Sequence, residues 1–176
     1  MNTIDVTIRP AALADVLPLR QLSIETFIDT YAAYNTPENM QLYIATNYNT
    51  QQLVSELADA CIQYFLLYSG AVLAGYIKLR TTEEPPELAG KKHIEIERIY
   101  VLPAFKGMKL GTRLIECAVE TATQQEFEVL WLGVWDENKK AQAFYTKQGF
   151  TIFGEHAFVL GTEPQRDWLM MLPLRP

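Results

Sequence analysis

Apolar and polar residues alternate at the front of the chain, with Ile4, Val6 and Ile8 set between polar positions up to Arg9-Pro10, and a period of two predicts a strand. The period then lengthens. Val16, Leu19, Leu22, Phe27 and Tyr31 recur at roughly helical spacing, which predicts a helix to Tyr31 with Asp15 as its cap. Thr36-Pro37-Glu38-Asn39 offers a capping hydroxyl and then proline at the first helical position. Thr50 can cap a further helix carrying Leu53, Leu57 and Ala60. IQYFLLYSGAVLAGYIKLR, from Ile62, is two β-rich runs joined at Ser69-Gly70, a hairpin signal. Residues 81–92, with Pro85-Pro86 and Gly90, are polar and rich in breakers and predict a surface loop. HIEIERIYV, 93–101, alternates as a strand and stops before Pro103.

FEVLWLGVW, 127–135, is almost continuously apolar, as expected of a central strand buried on both faces. Asp136-Glu137-Asn138 supplies caps for a short helix through Ala141, Phe144 and Tyr145, which ends at Gly149 with Phe150 packing back. The tail predicts a strand, a turn at Gly161 to Pro164, and a strand. This order implies an α/β protein with a mixed, mostly antiparallel central sheet flanked by helices, and a strand-helix-strand crossover after an antiparallel front. No repeat or linker divides the chain, so a single domain over residues 1–176 is expected.

Composition narrows the function. With 49% hydrophobic residues, the chain can bury one sizeable core. A formal charge of −6 argues against nucleic acid and makes a DNA-binding regulator remote, whereas a cationic or neutral substrate suits it. Cys61 and Cys117 have no metal-ligand spacing and read as reduced thiols, and His93 and His156 have no partner at ligand spacing, so no metal is expected. No leader-like N-terminus and no apolar run of about 18 residues occurs, so a cytoplasmic protein without membrane contact is expected.

FKGMKLGTRLIECAVETA, from Phe105, passes from a loop with two glycines into an apolar-periodic helix. A helix N-terminus carries partial positive charge and unpaired N–H groups, yet Lys106, Lys109 and Arg113 crowd it, an arrangement that calls for an anion. Gly107 and Gly111 would let the backbone approach that anion, and a phosphate or pyrophosphate is the natural ligand. GxxxxGK[ST] is absent, as is GxGxxG with a downstream acid, which excludes the commoner phosphate loops.

Two segments carry a resemblance. IEIERIYVLPAFKGMKLGTRLI resembles the acyl-CoA-binding segment of the GNAT family of N-acetyltransferases, a strand ending in V-x-P and then [QR]-x-x-G-x-[GA] opening a helix. WLGVWDENKKAQAFYTKQGF is similar to the family's next segment, a strand followed by N-x-x-A-x-x-F-Y-x-K-x-G-F. Together they cover residues 94–150; Lys106 replaces the usual Gln or Arg, and Lys109 replaces the first glycine. The resemblance implies the acyl-CoA N-acyltransferase fold, acetyl-CoA as cosubstrate and direct acetyl transfer to an amine. It implies that the strand at Ile99, Tyr100 and Val101 holds the pantetheine arm and acyl carbonyl. The loop and helix start, Lys106, Gly107, Met108, Lys109, Leu110, Gly111 and Thr112, would cradle the pyrophosphate. Asn138 would contact the arm, Tyr145 would lie near the sulfur, and Lys147 would reach a phosphate.

The transfer needs a neutral amine, and an alkyl ammonium with a pKa near about 10 must first lose a proton. Glu95 and Glu97 are two apart on a strand and share a face, with Ile99 also on it if no bulge intervenes. Glu97 is the expected base and Glu95 the alternate. Tyr145 can protonate the departing thiolate, and the Val101 N–H can polarise the carbonyl. Cys117 lies inside a helix on the face of Leu110 and Leu114 and does not read as a nucleophile. Glu25 and Asp29, four apart on the first helix, would join Glu95 and Glu97 in an acidic acceptor cleft. IETFIDTYAAYNT and HAFVLGTEPQRDWLMM look similar to the PaiA-like bacterial branch that acetylates spermidine and spermine, so a small cationic amine is the expected partner. A protein N-terminal or lysine acetyltransferase and a non-catalytic acyl-CoA sensor are the alternatives, and a homodimer is compatible with the sequence.

Overall fold

In the computed structural model, which describes residues 5–160 and 162–174, strand β1 (Val6–Pro10) leads into helices α1 (Val16–Tyr31), α2 (Pro37–Asn47) and α3 (Thr50–Ala58). Strands β2 (Ile62–Ser69), β3 (Val72–Arg80) and β4 (His93–Val101) come next, then α4 (Leu110–Gln124), β5 (Val129–Trp135) and α5 (Lys139–Lys147). The hairpin of β6 (Thr151–Leu160) and β7 (Glu163–Pro173) closes the chain. The element order matches the periodicity, while Ile4 and Gly161, assigned above to the first strand and the last turn, lie outside the described residues.

Among the described residues, seven strands join one sheet in the order β1-β2-β3-β4-β5-β7-β6. Only β4 and β5 are parallel, as the crossover through α4 requires; every other pair is antiparallel. Leu110, Leu114, Ile115, Ala118 and Ala122 line one side of α4 and pack on Ile77, Leu79, Ile94, Ile96, Leu130 and Leu132. On the opposite face, Val16, Leu19 and Leu22 of α1 and Leu53 of α3 cover Tyr64, Leu66 and Tyr76. Each of the buried leucines, isoleucines and valines contributes about 1.5–3 kcal/mol by leaving water.

The local signals mostly hold. Thr36 accepts from Asn39 N at 3.2 Å, Asn138 Oδ1 accepts from Ala141 N at 3.1 Å, and Phe150 is buried behind Gly149 at φ 96°. Two caps differ. Asp15 makes no side-chain cap; its carboxylate turns back to accept from both terminal nitrogens of Arg9 and from Ala12 N, each at 2.8 Å, because a guanidinium fork outcompetes a helix amide. The third helix is capped by Asn49, whose Oδ1 accepts from Gln52 N at 2.8 Å, and Thr50 is its first helical residue. The 81–92 segment is not wholly surface loop: Leu88, only 1% exposed, covers Val129, Trp131 and Leu169.

The ladder between β4 and β5 begins at His93 and Val129 and ends at Ile96 and Leu132, although both strands continue. The register with β3 shows why. Lys78 pairs with Arg98 and Leu79 with Ile96, so Glu97 is an extra residue in β4, a bulge that bends the strand away from β5. The bulge also shifts the alternation. Ile94, Ile96, Ile99 and Val101 all face α4, whereas Glu95, Glu97, Arg98 and Tyr100 face the α1–α3 side. Glu95 and Glu97 therefore do share a face, and Ile99 lies on the other one.

Candidate active site

Past Ile96 the edge of β4 that faces β5 has no strand partner among the described residues. Leu102 N donates to Ala74 O at 2.8 Å, so Leu102 and Tyr100 turn their peptide groups towards β3. Alternation then directs the N–H and C=O of Ile99 and Val101 into the gap between the two strands. Backbone groups left this way at the middle of a sheet need a partner from outside the ladder.

The start of α4 borders the same gap. Its cap residue Lys109 is left-handed, φ 60° and ψ 18°, with no side-chain cap bond, and the first intrahelical bond runs from Arg113 N to Lys109 O at 3.2 Å. The N–H groups of Leu110, Gly111 and Thr112 thus have no intrahelical partner. Gly107 is needed for its φ of 85°, since a Cβ there would touch nothing within 4 Å. Gly111 has a packing role as well: a Cβ would stand 3.3 Å from Phe144 Cζ, so its smallness lets α5 pack on α4. Of the three cations, Lys106 forms an ion pair with Asp29 of α1 and Arg113 lies 3.2 Å from Glu116, while Lys109 is exposed. Met108 packs against the core beside α4.

On the α1–α3 side, the gap ends in a network of three carboxylates and three cations. Lys78, with a side chain 2% exposed, stands 2.9 Å from Glu56 and 2.5 Å from Glu97. Arg80 Nε donates to Glu95 at 2.5 Å, and Arg80 Nη1 and Arg98 Nη2 lie 3.5 and 3.6 Å from Glu97 Oε1. Arg98 Nη1 also donates to the Tyr64 hydroxyl at 3.2 Å, and that hydroxyl donates to Glu56. Burial pushes the Glu95 carboxyl above its ordinary range against the pull of Arg80, and pushes the Lys78 ammonium down with help from Arg98. The expected acidic cleft is therefore not what forms: Glu95 and Glu97 are charge-balanced, Asp29 is taken by Lys106, and Glu25 is exposed on α1.

Aromatic rings close the outer end. Tyr31 and Tyr34, at the end of α1 and just beyond it, meet Trp135 at ring separations of 6.2 and 5.0 Å. Tyr145 of α5 packs on Phe144 and Phe150 at ring separations of 5.3 and 6.0 Å and against the core on the α4 side. Burial raises its phenol well above the usual range, and the Tyr31 phenol adds to the effect. Asn138 is occupied at Oδ1 as the α5 cap, and Lys147 is exposed in the last turn of that helix.

The model of the Acetyltransferase (GNAT) family matches residues 19–150. The chain belongs to the GNAT family. An uncharacterised N-acetyltransferase of Lactobacillus delbrueckii subsp. lactis is 41% identical over 150 residues, 85% of this chain and 86% of that protein. The spermidine N(1)-acetyltransferase of Thermoplasma acidophilum is 24% identical over 151 residues, 84% of this chain and 89% of that protein. The fold is shared with the crystal structure of the PaiA N-acetyltransferase of the same organism in complex with coenzyme A, at a TM-score of 0.79 and 21% identity, over 96% of this chain and 99% of that one.

In this GNAT protein the gap and the uncapped helix start lie at the end of β4 and the beginning of α4, the segments that carry the resemblance. Lys78, Arg80 and Arg98, together with Tyr31 and Trp135, were not singled out from the sequence. K-x-R at 78–80 and E-x-E-R at 95–98 carried the signal, but only the register of β3 on β4 turns those two patterns into ion pairs. Cys117 is half-buried, its thiol pushed up by burial, consistent with no nucleophilic role. Among the described residues, no group of three or more His, Cys, Asp or Glu is placed to hold a metal, and no helix is long and apolar enough to cross a membrane.

Proposed function

We propose that this GNAT protein is an acetyl-CoA-dependent N-acetyltransferase that acetylates a primary amine of a small, polyamine-like cation, acting as one domain in the cytoplasm. The observation that carries the reading is the parting of β4 from β5 at Glu97, with the peptide groups of Ile99 and Val101 facing the gap. The residues present fit acetyl-CoA: an extended arm finds two free peptide groups, and a pyrophosphate finds three first-turn N–H groups and the exposed Lys109. Bound there, acetyl-CoA supplies a thioester whose acyl carbon is open to a neutral amine.

The chain's own groups do the rest. The Val101 N–H donates to the acyl oxygen as charge develops on it. The strand at Ile99, Tyr100 and Val101 aligns the arm, the segment Lys106 to Thr112 holds the pyrophosphate, and Asn138 and Lys147 flank the arm and a phosphate. Glu97 takes the proton of the acceptor ammonium, directly or through a water, with Glu95 as the alternate. Tyr145, kept protonated by its raised pKa, gives its proton to the departing sulfur and takes back the second proton that the acceptor nitrogen sheds as the amide forms. Glu25, exposed on α1, would add negative charge on the side where a cation enters, and Asp29 would do so once Lys106 turns from it to the pyrophosphate. The spermidine acetyltransferase relative supports a polyamine acceptor, and the free cysteines support a reducing compartment.

An amine panel with acetyl-CoA, followed by free-thiol release, tests the reading. Spermidine-like amines are expected to exceed N-terminal peptides in kcat/KM, and Glu97→Gln is expected to lower kcat by about 10²–10⁴-fold with CoA affinity retained. Preference for peptides would overturn the acceptor class, and wild-type turnover by the variant would remove Glu97 as base.

A further inference from the structure

Beyond Leu132, the last residue of β5 paired with β4, the strand presents Gly133 and Trp135 to the α1–α3 face, while Val134 turns into the core against α4. The place over Gly133 is filled, since a Cβ there would meet Asp167 Oδ2 at 3.1 Å and His156 Nε2 at 3.5 Å. Trp135 is different. It is half-buried, and its ring meets that of Tyr31 at 6.2 Å and, edge to face, that of Tyr34 at 5.0 Å. Tyr31 in turn shares a hydroxyl–hydroxyl hydrogen bond with Tyr100, the β4 residue between Ile99 and Val101. The three rings thus adjoin the stretch of β4 whose peptide groups face the gap.

These rings are held in place and remain open to water. Phe27 packs on Tyr31 at 4.9 Å, and Asn35, next to Tyr34, donates from Nδ2 to Tyr31 O at 3.0 Å. Asn35 Oδ1 accepts from Gln165 Nε2 of β7 at 3.1 Å, which ties this segment to the far side of the sheet. Tyr34 is nevertheless 67% exposed. Elsewhere aromatic faces are taken by the chain's own cations: Lys78 lies 5.7 Å from the Tyr64 ring centre, Arg98 4.7 Å from that of Tyr48 and Arg166 4.6 Å from that of Trp168. Among the described residues no cation lies over Tyr31, Tyr34 or Trp135. A ring face attracts a cation that comes within about 6 Å of its centre, and the formal charge of −6 favours the approach of one from solution.

We propose that Tyr34 and Trp135 form a cation subsite, in which a charged group of the acceptor remote from the amine being acetylated rests against their water-facing rings. This rests on the small-amine reading above and deepens it to a specificity site. A cation held there keeps part of its hydration, so no buried charge has to be desolvated to receive it. The rings also have no group that takes its proton. The remote nitrogen therefore stays charged while the reacting one is made neutral.

Steady-state kinetics with 1,5-diaminopentane and n-pentylamine test this, because the two share a chain length and a reacting amine. The wild type is expected to prefer the diamine by at least about 5-fold in kcat/KM, with the difference in KM. Tyr34→Ala is expected to cut that preference by about 2- to 30-fold, the range of one cation–π contact, and Tyr34→Phe, which keeps the ring, to retain it. The wild-type ratio stands on its own should a variant fail to fold. Equal use of the two amines by the wild type, a preference for the monoamine such as a merely apolar wall would give, or an undiminished preference in Tyr34→Ala overturns the subsite and leaves the small-amine reading intact. Acetylation of peptides with neither amine used removes both.

Discussion

The two parts of β4 share one alternating sequence pattern and have different surroundings. Glu95 and Ile96 are laddered to β3 on one side and β5 on the other, whereas Arg98 to Val101 are laddered to β3 alone. Ile94 and Ile96 are buried, and Ile99 and Val101 are half-buried. One extra residue, Glu97, marks the boundary. The difference teaches how a sheet can open a ligand slot at its centre without losing its core: the helix α4 packs across both parts, and only the hydrogen-bonding edge is given up. The price of the bend falls on the opposite face, where the charged network holds the bulge in place.

Removing that hold is the largest expected perturbation. Lys78→Met would leave Glu56 and Glu97 without their shared cation in a buried site, and the loss in urea-unfolding free energy is expected to be about 3–5 kcal/mol. A loss under about 1 kcal/mol would mean that the network does not support the boundary between the two parts of the strand. The loop that follows β4 should respond in the opposite direction. Lys109 is a left-handed non-glycine residue, so Lys109→Gly is expected to gain about 1 kcal/mol in the same measurement. CoA affinity should stay within about threefold, because the N–H groups of the helix start are retained. A drop of tens-fold in affinity would assign the binding to the lysine charge instead of the backbone.

Much of this was legible in the sequence where the signal is local. Period, breakers and caps placed every strand and helix in order, and Thr36 and Asn138 sit where hydroxyl and amide caps belong. Asp15 was misread because its competitor, Arg9, lies six residues back in a strand. The bulge at Glu97 could not be read at all, since it is a property of two strands in register and not of either alone. The same holds for the pairing of Lys78 and Arg80 with the glutamates, and for Asp167, which meets Gly133 only because β5, β7 and β6 are neighbours. The family motifs located the gap and the helix start; the acceptor side depends on pairings distant in sequence and had no motif to announce it.

The smallest perturbation is the most direct test of the central claim that the open edge of β4 takes the arm of acetyl-CoA. Amide hydrogen exchange would be followed at Ile99, Tyr100, Val101 and Leu102 with and without CoA. Tyr100 and Leu102, bonded to β3, are expected to be protected in both states, while Ile99 and Val101 exchange freely alone and slow by at least about tenfold with saturating CoA. Unchanged exchange at Ile99 and Val101 in the presence of bound CoA would contradict the account.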